Sequence, residues 1–129
     1  LIEEFIDGPE LTVGVFNNKA LPVIEIIPKG KFYDYNCKYV KGQSEYVVPA
    51  KINKSIEQEI KKYSLKIHKE IGCGVYSRVD YRLNDKNEIY FLEINTLPGF
   101  TGTSLFPKAA LATGLKYKKL INKIIKLSQ

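Results

Sequence analysis

Apolar and polar positions along this chain of 129 residues recur at two periods, and the changes of period mark out its elements. Leu11 to Phe16 and Ala20 to Ile27 are β-rich runs. Asn17-Asn18-Lys19 between them is hairpin chemistry, because asparagine tolerates the positive φ angles such turns require. Gly30 to Gly42 has no period and holds three tyrosines, so an irregular loop is predicted, followed by a short strand over Tyr46 to Pro49. The pattern then turns helical. Ile56, Ile60, Tyr63, Ile67 and Ile71 follow at steps of four, three, four and four, one stripe of a helix from Ser55 to Ile71. Ser55 and Gln58 have capping-box spacing, and Gly72 supplies the stop. His68, beside the stripe, is expected on the surface or at the rim.

Tyr76 to Leu83 and Ile89 to Asn95 read as a second hairpin around Asn84-Asp85-Lys86-Asn87. Thr96 to Thr103 is a loop rich in proline and glycine. A short helix from about Ser104 to Thr113 ends at Gly114, and a last amphipathic helix uses Leu120, Ile121, Ile124 and Ile125. Hairpins with packed helices and no βαβ alternation predict an α+β fold, its sheet mainly antiparallel, in one domain over 1–129 without repeat or linker.

Composition narrows the function classes. The chain is 44% hydrophobic and 26% charged, ordinary for a folded domain. No window approaches the ~20 apolar residues that span a membrane, and no signal-peptide pattern is present. There is no methionine, and the chain opens on Leu1-Ile2, so it is expected to be a piece of a longer protein. The net charge of +6 and the pI of 9.2 invite a nucleic-acid reading. Only Arg78 and Arg82 are arginines, however, and the lysines are scattered. The heaviest run, Lys116, Lys118, Lys119, Lys123 and Lys126, reads as the solvated side of the last helix, so neither a nucleic-acid nor a membrane partner is expected. Cys37 and Cys73 form no CxxC pair and are expected as free thiols.

The second hairpin carries the chemistry. Strand alternation puts Arg78, Asp80 and Arg82 on one face and Ser77, Val79 and Tyr81 on the other. On the return strand Phe91, Glu93 and Asn95 share a face. With a four-residue turn, the expected register sets Asp80 opposite Glu93 and Arg78 opposite Asn95. Two opposed carboxylates repel, unless one is protonated, Arg78 and Arg82 neutralise them, or a divalent cation sits between them. Asp, Glu and Asn oxygens are hard donors suited to Mg²⁺, while an Arg–carboxylate ladder on a solvent face explains the same pattern. The segment from Asn95 to Ser104 then delivers glycines and hydroxyls into a helix start, where free N–H groups favour an anion. Ser104 as a plain N-cap is the alternative. Lys38, in the tyrosine-rich loop, could close over a phosphate as part of a lid.

The segments Glu3-Glu4-Phe5-Ile6, Gly8-Pro9-Glu10, Phe32-Tyr33-Asp34-Tyr35, Lys38-Tyr39, Arg78-Val79-Asp80 and Glu93-Ile94-Asn95-Thr96-Leu97-Pro98-Gly99 resemble the C-terminal half of the D-alanine–D-alanine ligases of the ATP-grasp superfamily. The likeness runs through essentially the whole chain, in order. It implies a C-terminal ATP-grasp domain whose N-terminal and central companions are absent here. It also implies ATP-dependent joining of two D-alanines through an acyl phosphate, for peptidoglycan precursor synthesis in the cytoplasm, by a homodimer. By the same resemblance, backbone near Glu3 and Ile6 holds adenine, Glu10 the ribose hydroxyls, and Lys38 the γ-phosphate. Asp80, Glu93 and Asn95 bind two Mg²⁺ ions, which Mn²⁺ could replace, with Glu93 shared. Arg78 and the N–H of Gly99 face the oxyanion of the tetrahedral intermediate, and Ser104 and the N–H of Leu105 hold the second D-alanine's carboxylate. Tyr39 favours D-alanine over D-lactate as second substrate, and Glu4 is given no role. The competing expectations are another ATP-grasp carboxylate–amine ligase and a non-catalytic basic nucleotide-binding module.

Overall fold

The computed structural model describes residues 2–28 and 44–129, so Lys38, Tyr39, Cys37 and the whole of the predicted tyrosine loop from Gly30 to Gly42 lie outside the described residues. The strands are β1 (Glu10–Phe16), β2 (Lys19–Ala20), β3 (Ile24–Pro28), β4 (Ser44–Val47), β5 (Tyr76–Leu83) and β6 (Ile89–Asn95). The helices are α1 (Lys54–Glu70), α2 (Leu105–Ala112) and α3 (Tyr117–Leu127). All pairings are antiparallel, in the order β4-β3-β1-β5-β6, with β2 also on β1. The α+β expectation holds.

The first hairpin closes through Asn17 and Asn18 alone, both at positive φ (47° and 57°), with Phe16 opposite Lys19. The predicted run from Ala20 to Ile27 is broken into β2 and β3. Pro22 has no N–H for a ladder, which explains the gap. Before β1, Gly8 sits at φ 137°, and a Cβ there would lie 1.9 Å from the Leu83 carbonyl oxygen. Only glycine lets the entering chain pass so close to the end of β5.

The two faces of the sheet carry separate cores. One face puts Leu11, Val13, Val79, Tyr81 and Leu83 against α1 at Ile60. The other puts Phe16, Ile24 and Ile26 against Phe106, Ala109 and Ala110 of α2 and Leu120 of α3. The site face is therefore the α2 side, and β5 is shared by both layers.

Helix α1 departs from its pattern in three ways. Its cap is Asn53, whose Oδ1 accepts from the Ser55 N–H at 3.1 Å and the Ser55 hydroxyl at 3.0 Å, so the Ser55–Gln58 capping box does not form. The stripe is rotated: Ile60, Ser64 and His68 are buried, while Tyr63 and Ile71 are exposed. His68, expected at the surface, is 1% exposed. Its Nδ1 lies 2.7 Å from Ser77 Oγ, and the Ser64 hydroxyl lies 2.9 Å from that of Tyr81. Polar partners on β5 draw the polar residues of α1 inward, an arrangement that hydrophobic periodicity cannot register.

Candidate functional site

The β5–β6 hairpin positions the candidate chemistry. Asp80 lies opposite Glu93 and Arg78 opposite Asn95, as expected, but the route differs from the simple hairpin. The expected four-residue turn does not by itself give this register: strictly counted, it sets Leu83 against Glu88 and Asp80 against Phe91, two residues short. Instead Leu83 pairs with Ile89, leaving five residues in the turn. Asn84 Oδ1 holds that turn by accepting from the N–H groups of Lys86 at 3.0 Å and Glu88 at 2.9 Å. A bulge at Leu92 adds the second extra residue, because Tyr81 pairs with Phe91 and Asp80 with Glu93. Phe91 thus leaves the face of Glu93 and Asn95 and packs edge-on against Tyr81, ring centroids 6.2 Å apart.

On the cleft face Arg78 forks onto Asp80, Nε to Oδ1 at 2.9 Å and Nη2 to Oδ2 at 2.7 Å. Thr12, opposite on β1, donates its hydroxyl to Asp80 Oδ1 at 2.5 Å. Asn95 Oδ1 accepts from the Leu97 N–H at 3.0 Å, which starts the turn away from β6. Glu93 is exposed and has no hydrogen-bond or ion-pair partner among the described residues. Arg82 does not neutralise this carboxylate pair. It turns to the far end of β1, with Nη2 3.2 Å from Glu10 Oε2 and Nη1 3.0 Å from the Ile6 carbonyl.

The loop after β6 closes the other side. Ser104 is the N-cap residue of α2, yet its side chain makes no cap bond. Its Oγ instead accepts from the Thr101 N–H at 2.9 Å and lies 2.8 Å from Thr101 Oγ1. A Cβ on Gly99 would meet that Oγ at 2.9 Å, so glycine leaves Ser104 its place. Lys108, one turn into α2, donates to the Thr103 carbonyl at 3.0 Å and lies 5.4 Å from the Tyr46 ring centroid on β4. Burial lowers the Lys108 pKa from its ordinary value.

Sheet face and loop enclose a cleft of about 560 Å³. Arg78, Asp80, Glu93 and Asn95 line one wall, and Gly99, Ser104 and Leu105 the other. Seven residues predicted from separate segments therefore share one cavity. Glu10 and Ile6 lie further along the same face, fastened by Arg82, and Glu3 is exposed. Sequence reading missed Thr12, Tyr46 and Lys108. Thr12 carried a usable signal, a hydroxyl alternating with Leu11 and Val13 on a strand. Among the described residues no three His, Cys, Asp or Glu side chains gather as a metal cluster. The donor set is two carboxylates and an amide, all hard oxygens, with Glu93 unengaged, and it suits a cation such as Mg²⁺.

A family model described as the D-Ala D-Ala ligase C-terminus matches residues 1–126. The D-alanine–D-alanine ligase of Halalkalibacterium halodurans is 47% identical over 99% of this chain and 44% of its own length. That of Methylacidiphilum infernorum is 48% identical, with 99% and 42% covered. The crystal structure of the Bacillus anthracis ligase complexed with ATP superposes with a TM-score of 0.83 at 36% identity, over 98% of this chain and 40% of that one. The chain spans less than half the length of these relatives. With a sequence and a fold that both agree with these proteins, the chain belongs to the D-alanine–D-alanine ligase C-terminal family.

Proposed function

We propose that this domain supplies the metal, phosphate and second-substrate half of the active site in an ATP-dependent ligase that joins two D-alanines. The observation that carries the reading is the convergence of Arg78, Asp80, Glu93 and Asn95 with the Gly99–Leu105 loop on one cleft. In this reading ATP phosphorylates the first D-alanine's carboxylate, releasing ADP. The amine of the second D-alanine attacks the acyl phosphate, and phosphate leaves from the tetrahedral intermediate. Asp80, Glu93 and Asn95 would hold two Mg²⁺ ions, or Mn²⁺ in their place. When bound, such ions offset the negative charge of the phosphates.

The chain's own groups do the rest by electrostatic preorganisation. Arg78 places a guanidinium beside the reacting centre and, with the Gly99 N–H, faces the developing oxyanion. Ser104, held by Thr101, and the Leu105 N–H at the start of α2 bind the carboxylate of the second D-alanine. Glu10 takes the ribose hydroxyls, with adenine along the backbone between Glu3 and Ile6, which Arg82 ties to β5. Lys38 would reach the γ-phosphate, and Tyr39 would select D-alanine over D-lactate. No helix of the described residues is long and apolar enough to cross a membrane. We place the full-length ligase in the cytoplasm, as a homodimer supplying peptidoglycan precursor, without nucleic-acid or membrane partners. The test is D-alanine-dependent phosphate release from ATP and Mg²⁺ by the full-length protein. Dipeptide formed one for one with phosphate is expected. Absence of both products, with salt-sensitive binding to any polyanion instead, would overturn the reading in favour of a basic binding module.

A further inference from the structure

Thr12 is 1% exposed and lies directly opposite Asp80 across the β1–β5 ladder. Its hydroxyl has one proton to give. The Val79 carbonyl is 3.4 Å away, whereas Asp80 Oδ1 is at 2.5 Å, the range of a charge-assisted bond. Arg78 brings Nε to the same oxygen at 2.9 Å and Nη2 to Oδ2 at 2.7 Å. A carboxylate oxygen offers about two lone-pair positions. Oδ1 is therefore filled by Thr12 and Arg78 together, while Oδ2 has one donor and one position left.

Resting on the reading of Asp80 as a cation ligand, we propose that Thr12 dictates which oxygen of Asp80 meets the cation, and so sets the site's preference for Mg²⁺ over larger divalent ions. With Oδ1 occupied, Asp80 offers the cation Oδ2 alone. Small Mg²⁺ demands near-octahedral geometry with short bonds, whereas Ca²⁺ readily takes a carboxylate through both oxygens. Without the Thr12 hydroxyl, Oδ1 regains an open position and the carboxylate can pivot to present both oxygens. Thr12 is thus a positioning residue, acting through Asp80 rather than on substrate.

The test uses the full-length ligase with a non-hydrolysable ATP analogue. Mn²⁺ binding is followed by electron paramagnetic resonance and displaced by Mg²⁺ or Ca²⁺. Thr12→Val keeps the β-branched shape and drops the hydroxyl. It is expected to weaken Mn²⁺ binding about tenfold, typical of a lost partner behind a metal ligand, and to shift displacement in favour of Ca²⁺. Thr12→Ser keeps the hydroxyl and is expected to behave as wild type in both measurements. Thr12→Ala provides the same comparison if the valine variant packs poorly. Wild-type affinity and wild-type Mg²⁺ to Ca²⁺ preference without the hydroxyl, or equal losses in the serine variant, would overturn the proposal. Asp80→Asn separates the two levels. Unchanged Mn²⁺ binding in that variant would overturn the metal reading itself, whereas loss there beside an unaffected Thr12→Val would overturn only the role of Thr12.

Discussion

Arg78 and Arg82 are four residues apart on one strand face, yet they do different work. The sequence offered both as neutralisers of the carboxylate pair. Only Arg78 serves there, because Arg82, two residues beyond Asp80, lies level with Glu10 on β1 and pairs with it. Its guanidinium donates to the carbonyls of Ile6 at 3.0 Å and Gly8 at 3.3 Å and to Glu10 at 3.2 Å, and it stacks 5.0 Å from the Phe5 ring centroid. A planar fork meets all of these at once, and an ammonium group cannot. If Glu10 and the Glu3–Ile6 backbone hold ATP as proposed, Arg82→Lys in the full-length protein is expected to raise the KM for ATP about tenfold, a loss near 1.4 kcal/mol, with a smaller effect on kcat. Steady-state kinetics check this, and an unchanged KM would contradict the anchoring role. The partners of Arg82 were not legible in the sequence, because they are fixed by the pairing of β1 with β5, about seventy residues apart.

At the scale of elements, β5 joins the site to the core. Its residues Arg78 and Asp80 face the cleft, while Ser77, Val79 and Tyr81 pack toward α1. Burial pushes the Tyr81 hydroxyl up to about 12, the Ser64 hydrogen bond opposes this, and the Asp80 charge adds to it. A folded-state pKa above the unfolded value means that the native protein holds this proton more tightly. The stabilisation is complete below the ordinary tyrosine value near 10 and is lost as pH rises from there to about 12. Tyr81→Phe is expected to flatten the fall of the urea midpoint across that window, relative to wild type. Parallel falls in the two proteins would contradict the assignment. The strands and helices were legible because each buries one face, and face burial writes a period into the sequence. The Ser64–Tyr81 and His68–Ser77 pairs were not, since each residue looks polar alone and the two halves of each pair meet only across the α1–β5 interface. Nor was the bulge: Phe91, Leu92 and Glu93 read the same whether Leu92 is paired or extruded.

At the scale of the whole molecule, the proposed function makes the cleft one wall of a site. The relatives it matches are more than twice as long as this chain, and the ATP-grasp reading places the opposing phosphate ligands and the first D-alanine outside these residues. Positioning two reactants can supply roughly 7–11 kcal/mol of barrier reduction, so half a site is expected to be silent. The chain alone, given ATP, Mg²⁺ and D-alanine, is expected to release no D-alanine-dependent phosphate, and a rate matching the full-length ligase would contradict the two-wall account. The residues that line the cleft were legible more readily than their supports, because hard donors and glycines cluster along the sequence here, while Thr12 and Lys108 arrive from other elements. The central claim is that the opposed Asp80–Glu93 pair is a cation-binding wall and not a surface ladder. The most direct measurement is phosphate release by full-length Glu93→Gln beside wild type across a Mg²⁺ series. Glutamine keeps the size of the side chain and removes the charge on the one carboxylate of the pair without a partner among the described residues. Turnover is expected to fall at least about a hundredfold, with the half-saturating Mg²⁺ concentration raised. Near-normal turnover with an unshifted Mg²⁺ dependence would contradict the account.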